Sequence, residues 1–221
     1  MDASPWPLLD IAAERGDAVA FYDPSTGSQI SYGELVALTR DAGAGLCRRG
    51  VLPGDVIGVC ADDVVSCVVL SGAVWTAGGV VAPIPSQAER DSVVRWLVGK
   101  DIRLLLTDEG CVTTAATAAE ISRVREVVVL GAAIPGTTPF ALVEASGKGL
   151  AFGIRNTLEE RTALLPFLGK PMSCSELAKY VLTMPSDEPL VRALGTLLHG
   201  RTVTSPIPVA LRPVMPAEGE L

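Results

Sequence analysis

The middle of the chain alternates short runs that are apolar throughout with longer amphipathic segments. The short runs are typical of strands and the longer segments of helices. Strands that are apolar on both faces need cover on both faces, which favours parallel βαβ units. We therefore predict an α/β fold with three layers and a mainly parallel sheet. The predicted elements are strands at 56–60, 79–84, 102–107 and 124–130, and helices at 63–77, at 87–99 and from Thr117 onward.

A second set of elements is predicted ahead of this region. The apolar spacing predicts a helix at 5–15, strands at 18–22 and 29–31, and a longer helix at 32–49. Ser31 stands where the N-cap of the longer helix belongs, and Glu34 three positions later completes a capping box. Gly50 follows the last periodic position, so we expect the helix to end there.

The last third of the chain is less regular. It predicts a connector at 131–139, helices at 156–168, 173–179 and 188–199, and strands at 180–184 and 201–204. Four prolines and an acidic end follow residue 204, which predicts a loosely held tail. We accordingly divide the chain into a first α/β subdomain at 1–130, an incomplete second subdomain at 131–204 and a Pro-rich tail at 205–221.

Composition narrows the range of partners. Of the 221 residues, 48% are hydrophobic and 19% charged, and 18 Lys and Arg stand against 25 Asp and Glu, a net charge of −7. No basic cluster is present that could neutralise a row of phosphates, which argues against nucleic acid and anionic membranes as partners. The longest apolar stretch, at 64–85, is interrupted by polar residues and glycines, so we expect a cytoplasmic protein.

Common catalytic and metal-binding patterns are missing from the sequence. The five cysteines are scattered without a C-x-x-C pair, and His199 is the only histidine, which argues against a metal site and against disulfides. We expect His199 to end a helix, where the helix dipole favours it. There is no G-x-S-x-G, H-E-x-x-H, P-loop or dinucleotide-binding glycine motif. Composition and common motifs therefore assign no reaction.

Three motifs in register give the chain a family resemblance. Residues 30–35 read ISYGEL, residues 53–59 read PGDVIGV after a helix ending in RRGV, and residues 74–85 read VWTAGGVVAPIP. Together these motifs resemble the adenylate-forming superfamily, which includes acyl-CoA synthetases, luciferases and peptide-synthetase adenylation domains. The resemblance covers residues 6 to about 108 and implies the fold of that family's N-terminal subdomains. These motifs are expected to build the scaffold, with no catalytic residue among them.

The same resemblance implies a Gly/Ser/Thr loop that holds ATP phosphates and ends in Pro-Lys-Gly. We identify Ser146, Gly147, Lys148 and Gly149 as the candidate remnant of that loop and as the only candidate cofactor-binding residues; a plain surface turn is the alternative. The family's Mg²⁺-binding and ribose-binding residues and its mobile C-terminal domain have no counterpart. We therefore expect no cofactor, no metal and no adenylation by this polypeptide alone.

Two classes of function follow from these expectations. The first is a degenerate, non-catalytic relative of the adenylate-forming enzymes, which binds a small apolar acid or a protein partner such as a ligase or carrier protein. The second is an enzyme: one part of a split acyl-CoA or acyl-AMP ligase, or a site with repurposed chemistry. A genetic remnant or a piece cut from a longer protein is a third reading. We also expect an apolar face in the last third to support a homodimer or a partner complex.

Overall fold

The elements of the fold follow the predicted alternation closely over residues 17–130. The computed structural model describes residues 8–150, 162–166, 169–183 and 188–212. The strands are β1 Val19–Tyr22, β2 Gln29–Ser31, β3 Val56–Cys60, β4 Val80–Pro83, β5 Leu104–Asp108, β6 Glu126–Leu130, β7 Thr138–Pro139, β8 Thr162–Leu164, β9 Met172–Ser173 and β10 Val203–Thr204. The helices are α1 Leu8–Arg15, α2 Tyr32–Arg48, α3 Val64–Thr76, α4 Arg90–Gly99, α5 Val112–Glu120, α6 Phe140–Gly147, α7 Cys174–Thr183 and α8 Pro189–Leu198, with a 3₁₀ turn at Val209–Leu211.

A large sheet of seven strands forms the centre of the molecule, in the order β7-β6-β5-β3-β4-β8-β9. All of its neighbours are parallel except β8 and β9. The prediction of an α/β fold with a mainly parallel sheet is therefore confirmed. Strands from both sides of residue 130 share this sheet, and the division into subdomains at that residue stays a prediction.

Two apolar clusters cover the two faces of this sheet and make it the middle of three layers. One cluster joins α2, α3, α6 and α8 to one face, with Leu35, Val69 and Leu194 among its buried members. The other joins α4 and α5 to the opposite face through Leu97 and Ala118. Burying an aliphatic side chain of this size stabilises the fold by about 1.5–3 kcal/mol. The core thus explains why the central strands are apolar throughout.

The start of α2 is fixed by the capping box that the sequence predicts. The Ser31 hydroxyl accepts a hydrogen bond from the Glu34 backbone N–H at 3.2 Å, and the Glu34 carboxylate accepts one from the Ser31 N–H at 2.7 Å. Tyr32, which is fully buried, places its hydroxyl 2.9 Å from the Leu197 carbonyl oxygen and 2.8 Å from that of Arg201. The motif at 30–35 therefore builds the scaffold, as expected.

A small second sheet joins the beginning of the chain to residues near 204. Its strand order is β10-β1-β2, with β10 parallel to β1. Residues 205–212, predicted to be loosely held, are instead bound to it. Ser205 donates its N–H to the Tyr22 carbonyl, and the buried Ile207 donates its N–H to the Asp23 carboxylate at 3.2 Å. Burial of the Ile207 side chain and its hydrogen bond to the buried Asp23 carboxylate hold this segment in place despite its prolines. Residues 213–221 lie outside the described residues.

Two further predictions in the last third are wrong. The strand predicted at 180–184 is the end of α7 as far as Thr183, and Met184 lies outside the described residues. Leu177 and Val181 are buried one turn apart, so helical spacing prevails over the strand propensity of the local residues. Within the helix predicted at 156–168, residues 162–164 form β8, while 156–161, 167 and 168 lie outside the described part. Parallel pairing with β4 determines that residues 162–164 form a strand.

His199 follows α8 as its C-cap, as predicted, with its Nδ1 atom 2.7 Å from the Gly195 carbonyl oxygen. None of the helices in the described ranges combines the length and hydropathy needed to cross a membrane.

Candidate functional site

A cavity of about 430 Å³ opens at the carboxyl ends of β3 and β4. Ligands of open α/β sheets bind outside this edge of the strands, and small-molecule sites commonly measure about 300–1,000 Å³. The start of α3, the loop after β4, the residues after β8 and the start of α8 enclose the cavity. It is lined by Val59, Ala61, Asp62, Val64, Cys67, Ser71, Pro83, Ile84, Pro85, Ser86, Gln87, Pro166, Glu188, Pro189 and Leu190.

Most of the cavity wall is apolar. Val59 and Ile84 come from the ends of β3 and β4, and Leu190 from the first turn of α8; all three are buried. Helix α3 contributes Val64 and Cys67, which lie one turn apart on the same helix face. An apolar wall of this kind suits the hydrocarbon part of a small organic molecule.

Hydrogen bonds hold the elements around the cavity in place. The Trp75 indole N–H, on α3, donates to the Ala163 carbonyl of β8 at 2.9 Å. The Leu165 N–H donates to the Val81 carbonyl at 2.8 Å, which keeps the residues after β8 beside β4. Trp75 is 2% exposed, so it is a core residue. These bonds position Pro166 at the cavity wall.

The Ser71 hydroxyl is a buried polar group beside the apolar part of the cavity wall. Ser71 lines the cavity, its side chain is fully buried, and its oxygen has no hydrogen-bond partner among the described residues. A buried polar group without a partner costs about 1–3 kcal/mol. The sequence offered no signal for this, because an apolar stretch with a serine fits a packed helix equally well.

The Cys67 thiol, one turn before Ser71, is not a nucleophile at neutral pH. Burial, and secondarily the negative charges around it, raise the pKa of Cys67 to about 12. The thiol therefore stays protonated, and attack by a thiolate is disfavoured. The Cys67 Sγ lies 3.5 Å from the Ala61 carbonyl oxygen, to which it donates. Cys67 serves as a packing residue.

The charged residues of the described cavity lining are both acidic. Asp62 lies in the loop after β3 and Glu188 directly precedes α8, and both are solvent-exposed. The described lining contains no Lys, Arg or His. A triphosphate entering this cavity would meet acidic side chains and no cationic side chain of the described lining. The cavity as described thus has the wrong charge for ATP phosphates.

Two neighbouring acids have structural tasks. Asp63 is the N-cap of α3 and accepts the Ser66 N–H at 2.7 Å. The buried Asp108, at the end of β5, accepts the backbone N–H groups of Asp62 at 2.6 Å and Cys111 at 2.9 Å. These bonds tie the loops after β3 and β5 together, so they place Asp62 at the rim of the cavity.

The residues predicted as a remnant phosphate loop lie at the C-terminal end of α6, outside the cavity lining. The Ser146 hydroxyl donates to the Val143 carbonyl at 2.7 Å, and the Lys148 ammonium pairs with Glu144 at 3.0 Å. Gly147 packs its backbone against α2, while Gly149 adopts a positive φ of 74°. A helix C-terminus carries partial negative charge and disfavours anions. Phosphate binding at 146–149 stays a prediction without support from this geometry.

Sequence reasoning missed the connection between β8 and β9. Gly169 has a φ of 136° and Lys170 is exposed, and both follow the cavity residue Pro166 within this connection. Ser173 and Glu176 form a capping box at the start of α7, with the Ser173 N–H 2.8 Å from the Glu176 carboxylate. The Gly-Lys-Pro triplet at 169–171, followed by the Ser-x-x-Glu cap, could have indicated a turn before the start of α7.

The fold has known relatives. The AMP-binding enzyme family matches residues 8–177, and this chain belongs to that family. It is similar to the naringenin synthase of Pestalotiopsis fici (strain W106-1 / CGMCC3.15140), at 34% identity over 116 residues, which cover 51% of this chain and 4% of that protein.

Solved ligase structures share the fold. A long-chain-fatty-acid-CoA ligase from Archaeoglobus fulgidus superposes with a TM-score of 0.77 at 19% identity, over 93% of this chain and 47% of that one. The coronafacic acid ligase from Pectobacterium brasiliense gives a TM-score of 0.79 at 14% identity, over 93% and 45%. This chain therefore spans about half the length of these ligases and a few per cent of the curated synthase.

Proposed function

We propose that this chain acts by binding a small, largely apolar organic molecule in the cavity at the carboxyl ends of β3 and β4, and that it does not form an adenylate on its own. The observation that carries the proposal is the charge of the cavity. Its described lining combines apolar walls with two carboxylates and offers no cation to the phosphates of ATP. Transferring an adenylyl group requires positive charge where negative charge develops.

Family membership supports a role in the metabolism of acyl or aryl compounds. The family match covers residues 8–177, and the solved neighbours named above are ligases of a fatty acid and of coronafacic acid. A protein partner, such as a ligase or a carrier protein, would supply the chemistry that follows binding. Homodimer formation is the other mode of association that we propose.

One experiment tests binding and adenylation together. An uncharged aromatic probe, 3-phenylpropanamide, is titrated into the protein and followed by ligand-observed NMR, and ATP–pyrophosphate exchange is measured in parallel. We expect saturable probe binding without exchange. The Ala61→Phe variant fills the cavity and should abolish binding, whereas Val98→Phe, at an exposed position on α4, is the matched control and should retain it. Pyrophosphate exchange, or unchanged binding to Ala61→Phe, contradicts the proposal.

A second candidate is a portion of an acyl-CoA or acyl-AMP ligase that becomes active when other segments are present. The observation in its favour is that ligase structures extend over about twice the length that this chain matches. Supplying a C-terminal portion of a ligase in trans tests it. Pyrophosphate exchange that appears only in the mixture would support this candidate over a binding role.

A further inference from the structure

We propose that a groove at the amino ends of β3, β5 and β6 binds the phosphate group of a small phosphorylated compound. Its cavity of about 450 Å³ is within the size range of small-molecule sites. The groove lies at the opposite end of the strands from the cavity of the proposed function, so this inference goes beyond that function. Three arginines that are far apart in the sequence line the groove: Arg49, Arg103 and Arg125.

Two of these arginines face each other across neighbouring strands. Leu104 on β5 is in register with Glu126 on β6, and one residue earlier the Arg125 N–H donates to the Arg103 carbonyl at 2.8 Å. Side chains in register on parallel strands point to the same face, and neighbouring strands lie about 4.8 Å apart. Like charges directly opposite each other in a sheet are destabilising. A dianion between the two guanidinium groups would replace this repulsion by attraction.

Arg125 is the arginine whose charge is least compensated. It is exposed, and it forms no ion pair with another described residue. Arg49, in contrast, pairs with Glu126. Asp55, another acid of the lining, accepts the backbone N–H of Leu52 at 2.8 Å and so has a structural task. The Arg125 guanidinium is therefore available to an anion that enters the groove.

Asp101 holds Arg103 in position without using all of its donors. The Asp101 Oδ2 atom accepts from Nη2 of Arg103 at 2.9 Å and from Nε at 3.3 Å. A guanidinium has five N–H donors, so others remain for a ligand. Asp101 also pairs with Arg123 at 3.5 Å, although its φ of 49° lies in the left-handed region that favours glycine. A carboxylate kept at such a position indicates a positioning role.

The balance of charge favours an anion as the ligand. With Arg123 included, four arginines stand against three acids in and beside the groove, whereas the whole chain has a net charge of −7. Guanidinium groups bind phosphate through paired, charge-assisted hydrogen bonds. A phosphate monoester carries nearly two negative charges at neutral pH, so it can serve two arginines at once. Val51 and Ile57, also in the lining, offer apolar surface to a small carbon skeleton.

Ligand-observed NMR on the intact chain tests the site with two probes, inorganic phosphate and phenyl phosphate, at about pH 7.5 where both are largely dianionic. We expect saturable binding of both, with phenyl phosphate the tighter because its ring contacts the apolar lining. Arg125→Gln should weaken both about 5-fold, the equivalent of about 1 kcal/mol for an exposed charge pair. Arg192→Gln, at an exposed position on α8 outside the groove, is the matched control and should bind like the wild type.

Thermal melts distinguish a ligand site from a purely structural role of Arg125. In phosphate-free buffer Arg125→Gln should melt at or above the wild-type temperature, because the like-charged pair is removed. Added phosphate should raise the melting temperature of the wild type and of Arg192→Gln by mass action, and should leave that of Arg125→Gln nearly unchanged. A lower melting temperature of Arg125→Gln in phosphate-free buffer would contradict the argument from like charges.

The other outcomes also decide the inference. Equal affinity of the wild type and Arg125→Gln for phosphate overturns the site, and so does a rise in melting temperature that sodium chloride reproduces at the same ionic strength. Tighter binding of inorganic phosphate than of phenyl phosphate overturns the assignment to a phosphorylated compound. Absence of binding by both probes overturns the whole inference. The proposed function is tested with an uncharged probe at the other end of the sheet, so it does not depend on these results.

Discussion

Gly147 gives the sharpest test of how this fold is packed. It ends α6 where that helix crosses α2, and Gly45 is its neighbour on α2. A Cβ atom at Gly147 would lie 1.9 Å from the carbonyl oxygen of Asp41 and 2.6 Å from the Gly45 nitrogen, whereas ordinary contacts measure 3.4–4 Å. Both opposing atoms belong to the backbone, so a rotamer change cannot relieve the clash. The helices would have to separate by roughly 1 Å or more.

We expect Gly147→Ala to destabilise the protein by about 3 kcal/mol, the upper end for overpacking, because α2 and α6 lose close contact along their crossing. The gain in helix propensity, up to about 1 kcal/mol, offsets this only in part. For a chain of this size the loss corresponds to a fall in melting temperature of about 6–12 °C. Urea unfolding, followed by circular dichroism, measures the free energy of unfolding directly.

Gly99 supplies the matched control, because a Cβ there meets no atom within 4 Å and its φ is not positive. Gly99→Ala should be neutral or stabilising by up to about 1 kcal/mol. The double variant Gly45→Ala/Gly147→Ala should cost less than the sum of the single variants, because both open the same crossing. Gly147→Ala with the stability of the wild type would refute the packing argument and return Gly147 to the phosphate-loop interpretation.

Three further predictions concern the ends of the chain. Tyr32→Phe should cost about 1–3 kcal/mol in urea unfolding, because carbonyls at the end of α8 lose their partner; an unchanged midpoint would contradict this. Hydrogen bonds, first from the Ser25 hydroxyl, hold the pKa of Asp23 well below its usual range. Its stabilisation is therefore complete at neutral pH and is lost as pH falls below about 4, the unfolded value. Asp23→Asn should flatten the fall in stability between about pH 5 and pH 2, and an equally steep fall would refute the assignment. Finally, light scattering should show that the full chain associates. Loss or retention of this association in a version ending at residue 204 shows whether residues 205–221 take part. A monomer in both cases contradicts association.

Much of the central sheet was predictable because the signal is local. The apolar run 56–60 coincides with β3, and the capping pair Ser31 and Glu34 sets the start of α2 to the residue. In such segments burial on both faces and cap chemistry act within a few residues. Local pattern and tertiary packing therefore agree.

In the last third of the chain, the prediction failed where the element type depends on contacts with residues far along the chain. Residues 162–164 have no strong strand signal and become β8 because Leu164 pairs with Val81. The strand propensity at 180–183 yields to the burial of Val181 on α7. In the candidate site, the sequence placed Pro83, Ile84 and Pro85 within the motif at 74–85, which was expected to build the scaffold. It had no means of showing that the Ser71 hydroxyl has no partner among the described residues, because this depends on packing with segments far along the chain.

The small sheet limits the order in which its hydrogen bonds can form during synthesis. The carbonyl groups of Val19 and Tyr22 on β1 accept hydrogen bonds from residues 202–205. The Asp23 carboxylate accepts one from the backbone N–H of Ile207. Contacts of such sequence separation form slowly because a long loop must close first. Residues 17–32 emerge early from the ribosome but cannot complete their hydrogen bonds until residue 207 has left the exit tunnel. During that interval the edge of β1 that later binds β10 has unpaired backbone N–H and C=O groups, which are the groups that favour aberrant strand pairing.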